Sequence, residues 1–155
     1  MTRTKKIILG LAIGLLVCLL LVTGVLVGAA TIGWKSAVRS GNETSALKGV
    51  STIAAIETQY FNTHGRKFGT FEELVHESLI DARFRGEAPV VDGYVYHLTI
   101  NQSAANGQLM YLVTADPQDS STGRNHFYLD SSSYEIRVNP NQKAGPNDPA
   151  WQKKP

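Results

Sequence analysis

The sequence predicts an α+β protein in which one long N-terminal helix packs, by its second half, on a four-stranded antiparallel sheet. Three observations predict this fold class: a run without formal charge at 7–33, a helical repeat of apolar residues that continues to about Thr63, and a change to alternating β-type runs from Tyr94 onward. A long helix laid across a small sheet is an economical way to bury the apolar faces of both.

The uncharged run predicts a membrane-spanning helix over 7–34. The uncharged run itself, 7–33, has 27 residues, of which 20 are apolar. A helix of that length extends roughly 40 Å, whereas the hydrocarbon core of a bilayer is about 30 Å thick. A signal peptide cleaved after Ala30 is the alternative, but the apolar core of a signal peptide usually has only about 7–15 residues. The arm of residues 1–6 holds three basic side chains and no acid, which predicts a cytoplasmic N-terminus.

Glycines inside the predicted span are spaced for helix association. Gly10 and Gly14, like Gly24 and Gly28, are separated by three residues, the spacing of small residues that lets two membrane helices approach closely. Glycine is also common in membrane helices in general. Self-association through this helix and a lone helix therefore both stay open.

The charges exclude an overall basic surface for nucleic acid, and the cysteine count excludes an intrachain disulfide. Residues 35–155 carry 12 basic and 13 acidic side chains, so they provide no overall basic surface for nucleic acid. Cys18 is the single cysteine of the chain, and it cannot form an intrachain disulfide. The C-terminal part must therefore fold without one.

The helix is expected to continue from Lys35 to about Thr63 and to bury one apolar face. Glu57 falls on that stripe. Burial with a partner is the alternative for this carboxylate, and we expect it at the edge of the stripe, reaching water. Gly65 is expected to end the helix because glycine readily adopts the left-handed conformation. The side chains predicted to form the core between helix and sheet recur at helical spacing: Leu47, Val50, Ile53, Ala54, Tyr60 and Phe61.

A second helix and four strands complete the predicted domain, which spans residues 35–138. Thr70 and Glu73 have the spacing of a capping box and predict a helix that reaches about Ser78. A loop is expected at 83–91. The strands are expected at 94–100, 109–115, 127–129 and 134–138, and residues 139–155, without a repeated apolar position, are expected to form a disordered tail.

The sequence shows no cluster typical of catalysis or metal binding. The four histidines are scattered over four elements without the spacing of metal ligands, and the serines at 131–133 lack a Gly-x-Ser-x-Gly context. Asp116 and Asp119 with their neighbouring serines offer fewer oxygens than the roughly six that a hard cation needs. We therefore predict no enzymatic activity, no metal and no cofactor.

Several pieces of the sequence follow the uncharged run in a characteristic order: Asn42–Ala46 leading into Val50–Tyr60, Gly93–Tyr96, Tyr111–Pro117, and Gly123–Asp130 continuing to Arg137. In these pieces and their order, the chain resembles bacterial type IV pilins and pseudopilins. That resemblance implies an N-terminal helix whose first half is apolar and whose second half packs on a four-stranded antiparallel sheet. It also implies a structural role, with the helix in the inner membrane and the C-terminal domain in the periplasm or outside the cell.

The chain lacks the cleavage motif that prepilin peptidase recognises in these families. That motif has an aromatic residue or Met after its glycine and Glu at the fifth position, whereas Gly10 precedes Leu11 and the fifth position is Leu15. The expectation is a pilin-like head on a permanent anchor, serving a type IV pilus or type II secretion system, with other pilin-like or envelope-assembly proteins as partners. The alternative is a membrane-anchored ligand-binding or sensor head that uses an aromatic patch of Tyr94, Tyr96, Tyr111 and Phe127.

Overall fold

The computed structural model describes the backbone of residues 3–102 and 109–152, and the side chains of 33–101 and 109–152. The chain divides into two compact units, Met1–Ala37 and Val38–Pro155. We call the second the C-terminal unit. Helix α1 (Arg3–Thr63) contributes residues to both units, and the other helices and strands belong to the C-terminal unit.

Most of the predicted membrane span, residues 7–32, has side chains that the structure does not describe. Gly10, Gly14, Gly24 and Gly28 all lie there, so their packing remains a prediction. Among the helical residues with described side chains, no stretch is long and apolar enough to cross a bilayer.

The sheet of the C-terminal unit has five antiparallel strands, each hydrogen-bonded to its neighbours in sequence. The prediction of an α+β fold with a long helix on an antiparallel sheet is confirmed, but the predicted number of four strands is wrong. The strands are β1 (Val90–Val91), β2 (Tyr94–Gln102), β3 (Leu109–Pro117), β4 (His126–Asp130) and β5 (Arg137–Asn139).

The additional strand β1 lies in the segment predicted as a loop. Val91 pairs with Tyr94, so the hairpin loop consists of Asp92 and Gly93 alone. Both residues have positive φ, 50° and 78°, as a type I′ turn requires, and Asp-Gly is a preferred sequence for that turn. Two residues are too short to show alternation, so the turn was the only local signal of this strand.

Strand β5 begins later than the predicted 134–138. Tyr134 has a φ of 54° and donates its N–H to the Asp130 carbonyl oxygen at 3.1 Å, so the turn includes Tyr134. The Asp130 carboxylate accepts the N–H groups of Ser132 and Ser133 at 2.9 and 3.0 Å. These serines stabilise a turn.

The short helix α2 (Phe71–His76) begins where the capping-box spacing predicts. The Glu73 N–H donates to the Thr70 hydroxyl at 3.3 Å, and the Thr70 N–H donates to the Glu73 carboxylate at 2.7 Å. A single 3-10 turn follows at Ala82–Phe84. Helix α1 ends before Gly65, which has a φ of 64°, in agreement with the prediction.

The core of the C-terminal unit lies between α1 and one face of the sheet. Alternate side chains of β2, β3 and β4 point to the helix, and their neighbours in sequence are more exposed. The buried side chains of the helix and of these strands are Ala46, Val50, Ile53, Ala54, Tyr94, Tyr96, Tyr111, Val113, Ala115, Phe127 and Leu129.

Gly49 lets α1 approach the sheet closely. A Cβ atom at this position would lie 2.5 Å from the Tyr96 hydroxyl oxygen and 3.1 Å from its ring, and Tyr96 is buried. We expect Gly49→Ala to lower the free energy of unfolding by about 1–3 kcal/mol, because overpacking outweighs the better helix propensity of Ala. Thermal unfolding of the full chain in detergent, followed by circular dichroism, measures it.

Gly41→Ala is the matched control for this prediction. Gly41 lies on the same helix, and a Cβ atom added there would have nothing within 4 Å, so the change should raise stability by about 0.5–1 kcal/mol. Equal effects of the two substitutions would contradict the close approach at Gly49.

The C-terminal segment is ordered through residue 152, which corrects the prediction of a disordered tail for those residues. The Val138 N–H donates to the Pro149 carbonyl oxygen at 3.0 Å, and the Trp151 N–H donates to the Ile136 carbonyl oxygen at 2.7 Å. Backbone pairing with β5, which needs no apolar repeat, therefore holds this segment. Residues 153–155 lie outside the described part.

Candidate functional site

The structure brings most of the predicted core residues of α1 together. Four of them, Val50, Ile53, Ala54 and Tyr60, are buried. Leu47 is partly buried against the same core. Phe61 is half-buried and stacks on the ring of Phe68, with 4.7 Å between the ring centroids.

The four aromatic residues of the ligand-binding alternative lie in this core and form no surface patch. Tyr94 and Tyr96 are 0% and 1% exposed, and Tyr111 and Phe127 are each 1% exposed. They occupy alternate positions of their strands, so their side chains share the face of the sheet that α1 covers. A ligand in solution cannot contact them unless the core opens.

Glu57 is the one helix carboxylate buried in this core, and the expectation that it reaches water is wrong. It is 0% exposed. Its Oε2 accepts the N–H of Gly69 at 3.0 Å, whereas its Oε1 has no hydrogen-bond partner among the described residues. Burial raises the pKa of Glu57 to about 7; the Gly69 N–H opposes this rise and the nearby Glu73 adds to it.

A second carboxylate of α1, that of Glu43, holds the long loop between β3 and β4. Its Oε1 accepts the N–H of Arg124 at 2.8 Å, and its Oε2 accepts the Asn125 side-chain amide at 2.8 Å. The neighbouring Asn42 donates to the Thr122 carbonyl oxygen at 2.9 Å. Asn42 and Glu43 thus both bind backbone groups of this one loop, which lies about 80 residues away in sequence.

Asp116 and His126 form a pair across β3 and β4. The His126 Nδ1 lies 2.6 Å from Asp116 Oδ1, and the Lys143 ammonium lies 3.8 Å from Oδ2. An aspartate can orient a histidine for nucleophilic catalysis when the other ring nitrogen contacts a hydroxyl or thiol. In the part of the chain with described side chains, no such contact of His126 is present, and no group of three potential metal ligands occurs.

A groove on the surface of the C-terminal unit is the candidate interaction site. It lies between α1, the segment that follows α2, and the β1–β2 hairpin. Apolar side chains form its floor, and Arg83 closes one side by contacting Asp92 at 3.0 Å and Asp81 at 3.4 Å. The floor residues are Ile53, Ile56, Leu79, Ile80 and Phe84.

The volume of this groove is about 290 Å³, just below the roughly 300–1,000 Å³ of small-molecule sites. An apolar side chain of a partner protein is a suitable occupant, as anchors of this kind are typical of protein interfaces. The groove as a whole has no local signature in the sequence, because its walls come from segments far apart in the chain. The signal that did exist was Leu79-Ile80, two apolar residues beyond the end of α2.

No protein-family model matches the chain, and neither a curated protein nor a solved structure matches it significantly.

Proposed function

We propose that the protein is a non-enzymatic, pilin-like structural and interaction protein of the bacterial cell envelope, anchored in the inner membrane by a single span. The observation that carries the proposal is the composition of α1 (Arg3–Thr63). This one helix contains both the uncharged run of 7–33 and the face of residues 46–60 that packs on an antiparallel sheet. A type IV pilus or type II secretion system is the assembly we propose for it.

The basic arm of residues 1–6 supports a cytoplasmic N-terminus in this proposal, because positive charge is retained on the cytoplasmic side. The C-terminal unit is then periplasmic or extracellular. Its groove would bind an apolar side chain of another pilin-like or envelope-assembly protein. The glycine pairs of the span would let α1 contact a second membrane helix.

Fractionation of bacteria that express the full chain tests the anchor. We expect the protein in the inner membrane at its full mass and resistant to extraction with alkaline carbonate. Replacing Leu16 and Leu20 together by Lys should release it, because each charge at the centre of a span costs about 3 kcal/mol. The control combines Ser36→Lys and Ser40→Lys, at two positions that are exposed in the structure. This variant should stay in the membrane.

A mature mass lacking about thirty residues would contradict the anchor, because it would identify the apolar run as a cleaved signal peptide. Sheared surface filaments give a second readout. Presence of the protein there would assign it to the filament, and its restriction to the inner membrane would assign it to the assembly machinery.

A further inference from the structure

A second groove of the C-terminal unit contains two arginine side chains from different elements. Arg39 comes from α1, and Arg124 comes from the loop between β3 and β4. The groove has a volume of about 520 Å³, and Ser120, His126 and the acidic residue Asp119 also line it. Four groups able to donate hydrogen bonds thus surround one space.

The carboxylates near this groove already accept hydrogen bonds from other groups. Glu43 accepts the backbone N–H of Arg124. Asp119 accepts the N–H groups of Ser121 and Thr122 at 2.7 and 3.2 Å. Asp116 contacts His126 and Lys143. These acids thus have other hydrogen-bond partners and, among the residues with described side chains, form no hydrogen bond with the guanidinium of Arg39 or Arg124.

The guanidinium of Arg39 has a donor that is unpaired in the described part of the chain. Its Nε–H is inaccessible to solvent and has no hydrogen-bond partner among the described residues. Neither Arg39 nor Arg124 lies within 4.0 Å of a carboxylate oxygen in that part of the chain. An oxygen in the groove cannot reach this buried Nε, so an oxyanion there would pair with the other donors of the Arg39 guanidinium and offset part of the cost of the unpaired charge.

We propose that this groove binds a phosphate group, held between the guanidiniums of Arg39 and Arg124. A phosphate has enough oxygen atoms to accept hydrogen bonds from two guanidinium groups at once, and Arg is suited to such paired contacts. A carboxylate has only two oxygens, and both can be occupied by hydrogen bonds from a single guanidinium. The volume of the groove is within the range of sites for small molecules.

The phosphate has two possible sources, a soluble phosphate compound and the headgroup of a phospholipid. Arg39 follows the predicted span 7–34 closely in sequence, which makes a headgroup available if the proposed anchor is correct. The soluble source does not depend on the anchor. Failure of the proposed phosphate site can therefore be distinguished from failure of the proposed membrane anchor.

Hydrogen exchange of the full chain provides the test. In neutral detergent, inorganic phosphate replaces chloride at constant pH and ionic strength. In a parallel arm, exchange in the same detergent without phosphate is compared with exchange in nanodiscs of phosphatidylcholine, with and without phosphatidylglycerol, because both lipids carry a phosphate. We expect slower exchange at residues 118–126, saturable with inorganic phosphate. A response to inorganic phosphate assigns a general phosphate site, and a response only to the nanodiscs assigns a lipid headgroup site.

Arginine variants identify the groups that bind. Arg39→Gln and Arg124→Gln should each weaken phosphate binding about tenfold or more, since a charge-assisted hydrogen bond contributes on that order. Arg124 is exposed, so its variant retains the fold even if that of Arg39 does not. Arg85→Gln is the matched control, because Arg85 is exposed and lies 4.0 Å from Glu72. No response in either arm, or equal binding by Arg85→Gln and Arg124→Gln, would overturn the proposal.

Discussion

Val50→Asp is expected to destabilise the C-terminal unit strongly. Val50 is 0% exposed and lies on the face of α1 that packs against the sheet. An aspartate there would bury a charge without a partner, which costs about 3–5 kcal/mol. Because whole domains are stable by only about 5–15 kcal/mol, a large fall in melting temperature, measured by near-UV circular dichroism of the full chain in detergent, is the expected result.

Ser51→Asp is the control, since it adds the same charge one residue later at an exposed position. Surface changes of this kind alter stability by no more than about 0.5 kcal/mol. A melting temperature of Val50→Asp equal to that of Ser51→Asp would mean that the buried face of α1 has been assigned to the wrong residues.

Stability is expected to rise by about 2–3 kcal/mol when the pH falls from 8 to 5, because of Glu57. Burial raises the pKa of its carboxyl from 4.5 to about 7 in the folded protein. The folded state therefore binds a proton that the unfolded chain releases throughout the window between these two values. This contribution is fully present below pH 4.5 and is lost as the pH rises through 7.

Glu57→Gln should remove this contribution to the pH dependence, because the amide does not titrate. Its stability at any one pH is less informative, since the amide N–H groups need acceptors of their own. Denaturant unfolding of both chains from pH 4 to 8 gives the comparison. Glu87→Gln, at an exposed position, should keep the wild-type slope. A wild-type slope in Glu57→Gln would show that the carboxyl does not titrate in this window.

The elements with long, regular patterns could be predicted from the sequence. The stripe from Leu47 to Phe61 identified the buried face of α1, and the capping box at Thr70 identified the start of α2. Strands β2 and β3, with nine residues each, are long enough for alternation to be visible. In each case the signal lies within one segment, so local sequence contains it.

The features that could not be predicted depend on contacts between distant segments. Glu57 is buried where the chain returns to α1 at Gly69, whose N–H donates to its carboxylate. The periodicity of apolar residues along α1 gives no information about this return. The approach of Gly49 to Tyr96 and the order of residues 139–152 depend in the same way on neighbours far away in sequence. The proposed phosphate groove likewise combines Arg39 with Arg124, 85 residues apart.

The C-terminal segment also determines how copies of this protein can associate. A sheet normally offers the backbone of its outermost strands to a further strand, which leads to aggregation. At the β5 side, the Val138 N–H donates to the Pro149 carbonyl oxygen, and the Trp151 N–H donates to the carbonyl oxygen of Ile136, just before β5. The chain itself therefore covers this edge. At the other side, β1 pairs only with Tyr94 and Val95, and the rest of β2 has no strand partner on that side in the described part of the chain. Any pairing between the sheets of two copies is therefore directed to the outer side of β2.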